Sequence, residues 1–373
     1  MKPIFSFITS AMLLLGFIAS GDAQTPTERI FWDHKDIGRT QRNGSFRYIT
    51  GEQAYEIAGA GENIWGRRDA FHFSWRRMQG DFILRARIKF AENGGHPHRK
   101  TGLMLRSSLE DDAGYVDAVK HGDGLTAIQY RSTKGEETQE VRLPVKHPSV
   151  LQLERKGNRF VVGAATEGKP MAFSDTLVLE MDKNPFLGLF ICSHAEGMLE
   201  KAVFNNVRLI VPAPDGFVPY EDYGGSRLEV VNVFNKNRQL IHSSDEALEA
   251  PNWDPLTRSL ICNSAGGLYD YPLDGSQPSR IETGFADALN NDHGLSPDNK
   301  EIAISHYYEG EEKSGSRIYI VPREGGTPRP VTENVPSYWH GWSPNGKYLI
   351  YTGQKKVPLT FTGSLSAAEQ KSN

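Results

Sequence analysis

The sequence predicts an all-β protein, an antiparallel β-sandwich followed by an incomplete β-propeller of about two and a half blades. Three observations carry this. Apolar residues alternate with polar ones through most of 31–211, as half-buried antiparallel strands require. Turn dipeptides punctuate those runs, and no long amphipathic helical period interrupts them. From about residue 226 the chain repeats itself at a blade-like spacing.

The chain has 373 residues, a length suited to two domains. Charged residues make up 24% and the net charge is −4, with no long basic run, which argues against a nucleic-acid partner. At the N-terminus Lys2 precedes an apolar run from Ile4 to Ile18, and the small residues Ala19, Ser20, Gly21 and Ala23 follow. This is the layout of a signal peptide over 1–23, cleaved after Ala23. It implies a periplasmic or extracellular protein with no transmembrane span after cleavage. Cys192 and Cys262 fall in separate predicted domains and read as two buried thiols.

Within 24–211 the predicted strands include Phe82–Phe90, Thr101–Arg106, Leu125–Tyr130, Ser149–Glu154, Arg159–Ala164, Leu187–Cys192 and Ala202–Leu209. Turns at Arg42-Asn43-Gly44, Lys156-Gly157-Asn158 and Glu167-Gly168-Lys169 separate elements. So many strands in one stretch pack as two sheets. Residues 212–225, opening Pro212-Ala213-Pro214-Asp215-Gly216, read as a linker.

The repeat follows over 226–354. Asn252-Trp253-Asp254-Pro255, His293-Gly294-Leu295-Ser296-Pro297-Asp298 and His340-Gly341-Trp342-Ser343-Pro344-Asn345 each precede an apolar strand, and the three prolines lie 42 and 47 residues apart. Second strands follow at Gly267–Pro272 and Arg317–Pro322, and third strands at Arg280–Thr283 and Arg329–Thr332. Leu228 to His242 reads as the tail of an earlier unit. After Tyr348–Tyr351 the pattern dissolves, and 355–373 is expected to be an aberrant, disordered tail. Codon degeneracy permits the missing strand in a frame shifted by one base near Lys355–Val357, so a frameshift is expected there, which the nucleotide sequence tests. Because blades stack on neighbours, the partial propeller is expected to be less stable by itself than the sandwich.

The repeats, notably HGLSPDNKEIAIS and HGWSPNGKYLIYTG, resemble the TolB-like β-propeller family. The stretches Tyr55–Gly59, Asn63–Gly66, Asp69–Phe73, Gly80–Phe82 and Lys100–Arg106 resemble concanavalin A-like (laminin G, jelly-roll) modules. The first resemblance implies a ring of six or seven blades and leaves open partnership with envelope proteins. It also suggests a lyase-like metal site in a closed ring, where His293 and His340 hold equivalent positions. The other reading of these histidines is a hydrogen bond to the neighbouring blade's backbone.

In the sandwich, Trp65, Arg67, Asp69, His72, Lys100, Arg106, His121 and Gln129 are the candidate ligand-binding residues. Aromatic faces stack on sugar C–H surfaces and planar polar groups match hydroxyls. Arg68 belongs with them by position. The His96-Pro97-His98 loop reads as solvated. No paired carboxylates, nucleophile elbow or phosphate loop assembles a catalytic set. The sequence thus points to a noncatalytic binding or scaffolding protein for carbohydrate or an envelope protein, without a resident cofactor. The alternatives are a polysaccharide lyase or hydrolase with an incomplete propeller site, or a TolB-like interaction component.

Overall fold

The computed structural model describes residues 29–219, 222, 224–309, 314–354 and 369–370. The signal-peptide segment lies outside them, as does all of the expected tail except the strand Glu369–Gln370. The described residues contain no α-helix, only strands and one 3-10 turn at Thr50–Glu52.

The sandwich has two antiparallel sheets. In spatial order the front sheet runs Asp33–Ile37, Phe71–Arg77, Phe186–Cys192, Lys100–Arg106, Tyr115–His121, Thr126–Arg131 and Gln139–Arg142. The back sheet runs Ala172–Phe173, Arg159–Ala165, Val150–Lys156, Phe82–Phe90, Ala195–Ile210, Ala54–Gly61 and Ser45–Ile49, with Leu177–Val178 also on Arg159–Ala165. Alternation builds the core between them. Phe82, Leu84, Ala86 and Ile88 project inward from the back sheet, and Leu103, Leu105, Val116, Ala118, Leu187 and Leu189 meet them from the front.

The front sheet is also covered on its outer face. There Phe71, Phe73, Trp75, Met104, Tyr115, Val119, Ala127, Phe186 and Phe190 form a second cluster with Ile64. Ile64 belongs to a short hairpin, Ile64–Trp65 with Arg68–Asp69. Double coverage explains why every residue of Lys100–Arg106 and Phe186–Cys192 is buried, and why the latter reads as an unbroken apolar run.

Beyond the linker lie a two-stranded sheet (Ser226–Val231, Arg238–Ser244), two four-stranded blades and a third, three-stranded sheet. The first blade is Glu249–Asp254, Ser259–Ser264, Gly267–Pro272 and Ser279–Ile281. The second is Leu289–Leu295, Glu301–Glu309, Ser314–Pro322 and Arg329–Pro330. The repeat segment before each proline turn is itself a strand, so a complete blade has four strands and not the three read from the sequence. His293 lies inside that extra strand. Its polar composition hides it, since neighbours hold it through backbone bonds.

Strand alternation packs each blade from both sides. Leu260 and Cys262 face Leu228, Ile241 and Tyr271, whereas Ile261 faces Leu289, Ile302 and Ile304. Ala303 turns the other way, to Ile318, Ile320, Leu349 and Tyr351. The repeated Ser-Pro-Asx turn is local chemistry. Ser296 Oγ donates to Asp298 Oδ1 (2.6 Å) and accepts from the Glu301 N–H (3.0 Å). Ser343 does the same with Asn345 (2.7 Å) and Tyr348 (3.0 Å).

In the first blade Asp254 takes the serine's place, and its Oδ2 accepts from Arg323 Nε of the second blade at 2.7 Å. Arg323 also donates to Asp270. Both Asp254 and Arg323 are buried, so Arg323→Ala strands a carboxylate between blades. The expected cost is about 1.5–3 kcal/mol, as for a hydrogen bond to a charged group, and limited proteolysis should cut within 226–354 faster than in the parent chain.

The sandwich and the first two-stranded sheet are joined by reciprocal bonds. Gln53 Nε2 donates to Leu240 O (2.7 Å), and the Leu240 N–H donates to Gln53 Oε1 (2.8 Å). Arg208 Nε pairs with Glu229 at 2.7 Å. Cys192 and Cys262 are buried free thiols.

Candidate functional site on the outer face of the front sheet

The sequence-predicted residues of the sandwich separate into four groups. Asp69, Arg106 and Arg131 form a closed structural cluster. Arg131 makes a fork–fork pair with Asp69, Nη1 to Oδ2 and Nη2 to Oδ1, both 2.8 Å. Arg106 Nη1 lies 3.4 Å from the same carboxylate. The remaining guanidinium donors reach the carbonyls of Gly66, Ala113, Glu136, Ser108 and Glu110. Three loops are thereby pinned over the sheet. Arg67 and Arg68 lie on the surface, paired with Glu137 (2.8 Å) and Asp111 (3.1 Å).

His72 does not share the predicted face. Strand alternation turns it away from Phe71 and Phe73, toward Gly59 of the back sheet. There it bonds Asp36 through Nδ1 (2.7 Å) and His34 through Nε2 (3.1 Å). Burial lowers its pKa, opposed by Asp36.

Lys100, His121 and Gln129 do come together, and they bring Asp117 and Glu140 with them. Register dictates this. Lys100 stands opposite His121, Asp117 opposite Gln129, and Gln129 opposite Glu140. All five share the outer face with Met104, Val119 and Ala127. Lys100 Nζ donates to Ile64 O at 2.7 Å and lies 5.3 Å from the Trp65 ring centroid. Trp65 is 43% exposed, the aromatic roof of the group. The Gln129 N–H donates to Asp117 Oδ1 (3.2 Å), and Gln129 Nε2 donates to Glu140 Oε2 (2.7 Å) and approaches His121 Nε2 (3.4 Å).

Three buried atoms in this network have no partner: Asp117 Oδ2, His121 Nδ1 and Gln129 Oε1. Native interiors seldom leave such groups unpaired. Burial pushes the Asp117 carboxyl well above the usual carboxylate range, against the opposing ammonium of Lys100. Burial likewise lowers Lys100, with Asp117 opposing. His121 is brought down to about 4 by burial and then by Lys100. Glu140 is pushed up by burial, but hydrogen bonds from Arg142 and Gln129 outweigh this and hold it below its ordinary value. Asp117 and Glu140 escaped the sequence reading. In sequence each is one polar residue on an alternating strand, and only the register across three strands reveals them as neighbours of His121 and Gln129.

The propeller histidines are placed differently. His293 is buried, and its Nε2 lies 3.3 Å from Ile261 O of the preceding blade. Burial lowers its pKa. His340 is exposed and bonds Thr352 Oγ1 at 2.9 Å. Among the described residues, no three His, Cys, Asp or Glu side chains gather to hold a metal ion. Nor is any helix among them long and apolar enough to cross a membrane.

No protein-family model matches the chain. An uncharacterized protein of Agrobacterium fabrum is 46% identical over 129 residues, covering 34% of this chain and 43% of that protein. The chain therefore spans less than half the length of this curated relative. Among solved structures, a protein of Agrobacterium tumefaciens provisionally assigned as TolB is 45% identical over 35% of this chain and 46% of its own, with a TM-score of 0.33. A legume lectin-like domain from Entamoeba histolytica is 12% identical, covers 50% of this chain and 92% of its own, and has a TM-score of 0.32. A lichenase from a mouse hindgut metagenome is 11% identical over 48% and 91%, with a TM-score of 0.29.

Proposed function

We propose that the chain is an exported, noncatalytic carbohydrate-binding protein whose sandwich recognises a saccharide at the outer face of the front sheet. One observation carries the reading. Three buried polar atoms on adjacent strands lack partners, and Lys100 of the same group lies 5.3 Å from the centroid of a half-exposed indole. A sugar ring offers an apolar face to Trp65 and fixed hydroxyls to Lys100, His121 and Gln129. The sealed Arg–Asp cluster holds the surrounding loops rigid, which lowers the entropic cost of seating a ligand.

The reading places the protein in the periplasm or outside the cell, with the propeller segment as scaffold. A glycan array with the full chain tests it. Trp65→Ala should weaken the best binder about two- to tenfold, the range for aromatic contacts, while leaving thermal stability nearly unchanged. Release of shortened or unsaturated sugar products would overturn the noncatalytic assignment.

A further inference from the structure

Four histidines from three separate segments meet at the rim of this site. His96 and His98 lie in the loop after Phe82–Phe90, His121 ends its strand, and His194 follows Phe186–Cys192. The His96 and His194 ring centroids are 4.4 Å apart, His98 and His194 5.5 Å, His96 and His98 5.6 Å, and His98 and His121 6.2 Å. His98 is exposed, and His96 and His194 are half-buried. His194 adopts a left-handed backbone (φ +54°), a conformation unusual for a residue with a Cβ and one that collects at functional sites. Its buried Nδ1 has no partner, like that of His121.

Among the described side chains, none of the four rings hydrogen-bonds a carboxylate. His96 Nδ1 accepts only the His98 N–H, at 3.1 Å. Three described acids nearby are engaged elsewhere. Glu200 is tied to Arg99 (2.8 Å), Glu140 to Arg142 (2.7 Å) and Gln129, and Asp123 accepts the Leu125 N–H (3.0 Å). Beyond burial, the groups acting on His194 are His96, Lys100 and His98, all basic. His121 feels Lys100 and His98 on one side, with Glu140 and Asp123 opposing. Lys100 links the two regions, since it also reaches toward Trp65.

Resting on the saccharide reading above, we infer that the recognised sugar is acidic, its carboxylate or sulfate held among His96, His98 and His194 while the ring stacks on Trp65. Imidazolium N–H groups make charge-assisted bonds to such oxygens. In the free protein burial and then His96 hold His194 at about 4, so that ring is neutral at pH 7. A bound anion raises the pKa of His194, and binding therefore takes up protons. Affinity for an acidic sugar must rise as pH falls and be lost as pH rises through the ligand-bound value.

The test is calorimetry of the full chain, with EDTA present, against a neutral hexose hexamer, a uronate hexamer and a sulfated hexamer. The two acidic arms decide between carboxylate and sulfate. Expected is at least about tenfold tighter binding of one acidic hexamer than of the neutral one at pH 5.5, shrinking severalfold by pH 8. His98→Ala, at an exposed position that leaves folding intact, should remove most of that preference and spare neutral binding. Equal binding of neutral and acidic hexamers overturns the inference and leaves the saccharide reading standing. Binding of none overturns both. Acidic-sugar binding that appears only without chelator, on adding a divalent metal, assigns the imidazoles to an ion and also overturns it.

Discussion

Asp69→Ala should be among the most damaging single changes in the sandwich, lowering unfolding free energy by about 3–5 kcal/mol. Asp69, Arg106 and Arg131 side chains are all fully buried. Removing the carboxylate leaves two guanidinium groups without a counter-charge in a low-dielectric interior, and neither can shed its proton. Urea denaturation of the full chain, followed through the tryptophans, measures the loss. Asp69→Asn keeps the shape but not the charge and should fall between. A loss below about 1 kcal/mol for the alanine variant would mean that the carbonyl partners alone satisfy both arginines.

Phe190→Ala comes next, at an expected cost of about 3–5 kcal/mol from lost burial plus the cavity left behind. Phe190 is fully buried, edge-on to Phe71 with centroids 6.0 Å apart. It fills the space over Gly102, where an added Cβ would sit 3.1 Å from its ring. Phe190→Leu should recover more than half of the loss by the same denaturation assay. Trp65→Ala makes the contrast: a half-exposed ring that contributes little to folding and much to binding. If both variants lost stability equally, Trp65 would be a packing residue and the roof over the site would have no recognition role.

Much of the fold was legible because its signals are local. Phe82–Phe90 appears in the structure with the bounds its alternation suggests. The Ser-Pro-Asx turns advertise themselves through a hydroxyl and a carboxyl or amide spaced to close on each other. The leading strand of each blade was not legible: Glu249–Asp254 carries Glu, Ala, Pro, Asn, Trp and Asp, no apolar period at all. Ala195–Ile210 was recognised only from Ala202 onward, since register shifts at its bulges break the alternation.

The candidate site was half visible. Lys100, His121 and Gln129 were named, but Asp117 and Glu140 required the cross-strand register. Asp69 and Arg106 looked like ligand groups in sequence and proved to be each other's partners, a distinction that depends on Arg131 from a distant strand. The histidine rim spans residues 96 to 194 and is assembled by tertiary structure alone.

The sheet of Ser226–Val231 and Arg238–Ser244 stands before the first blade as the third and fourth strands of a blade stand before the next. The sheet of Ser337–Trp342 and Tyr348–Gly353 begins a blade with its first two, and the short Glu369–Gln370 pairs the edge where a third strand would lie. Apart from that two-residue strand, the two are complementary halves. Were a ring completed from such pieces, its seam would run through the interior of a sheet and not between sheets. Such a joint zips by backbone ladder bonds in one register, and the edge of Ser226–Val231 is the strip on which that zipping would begin.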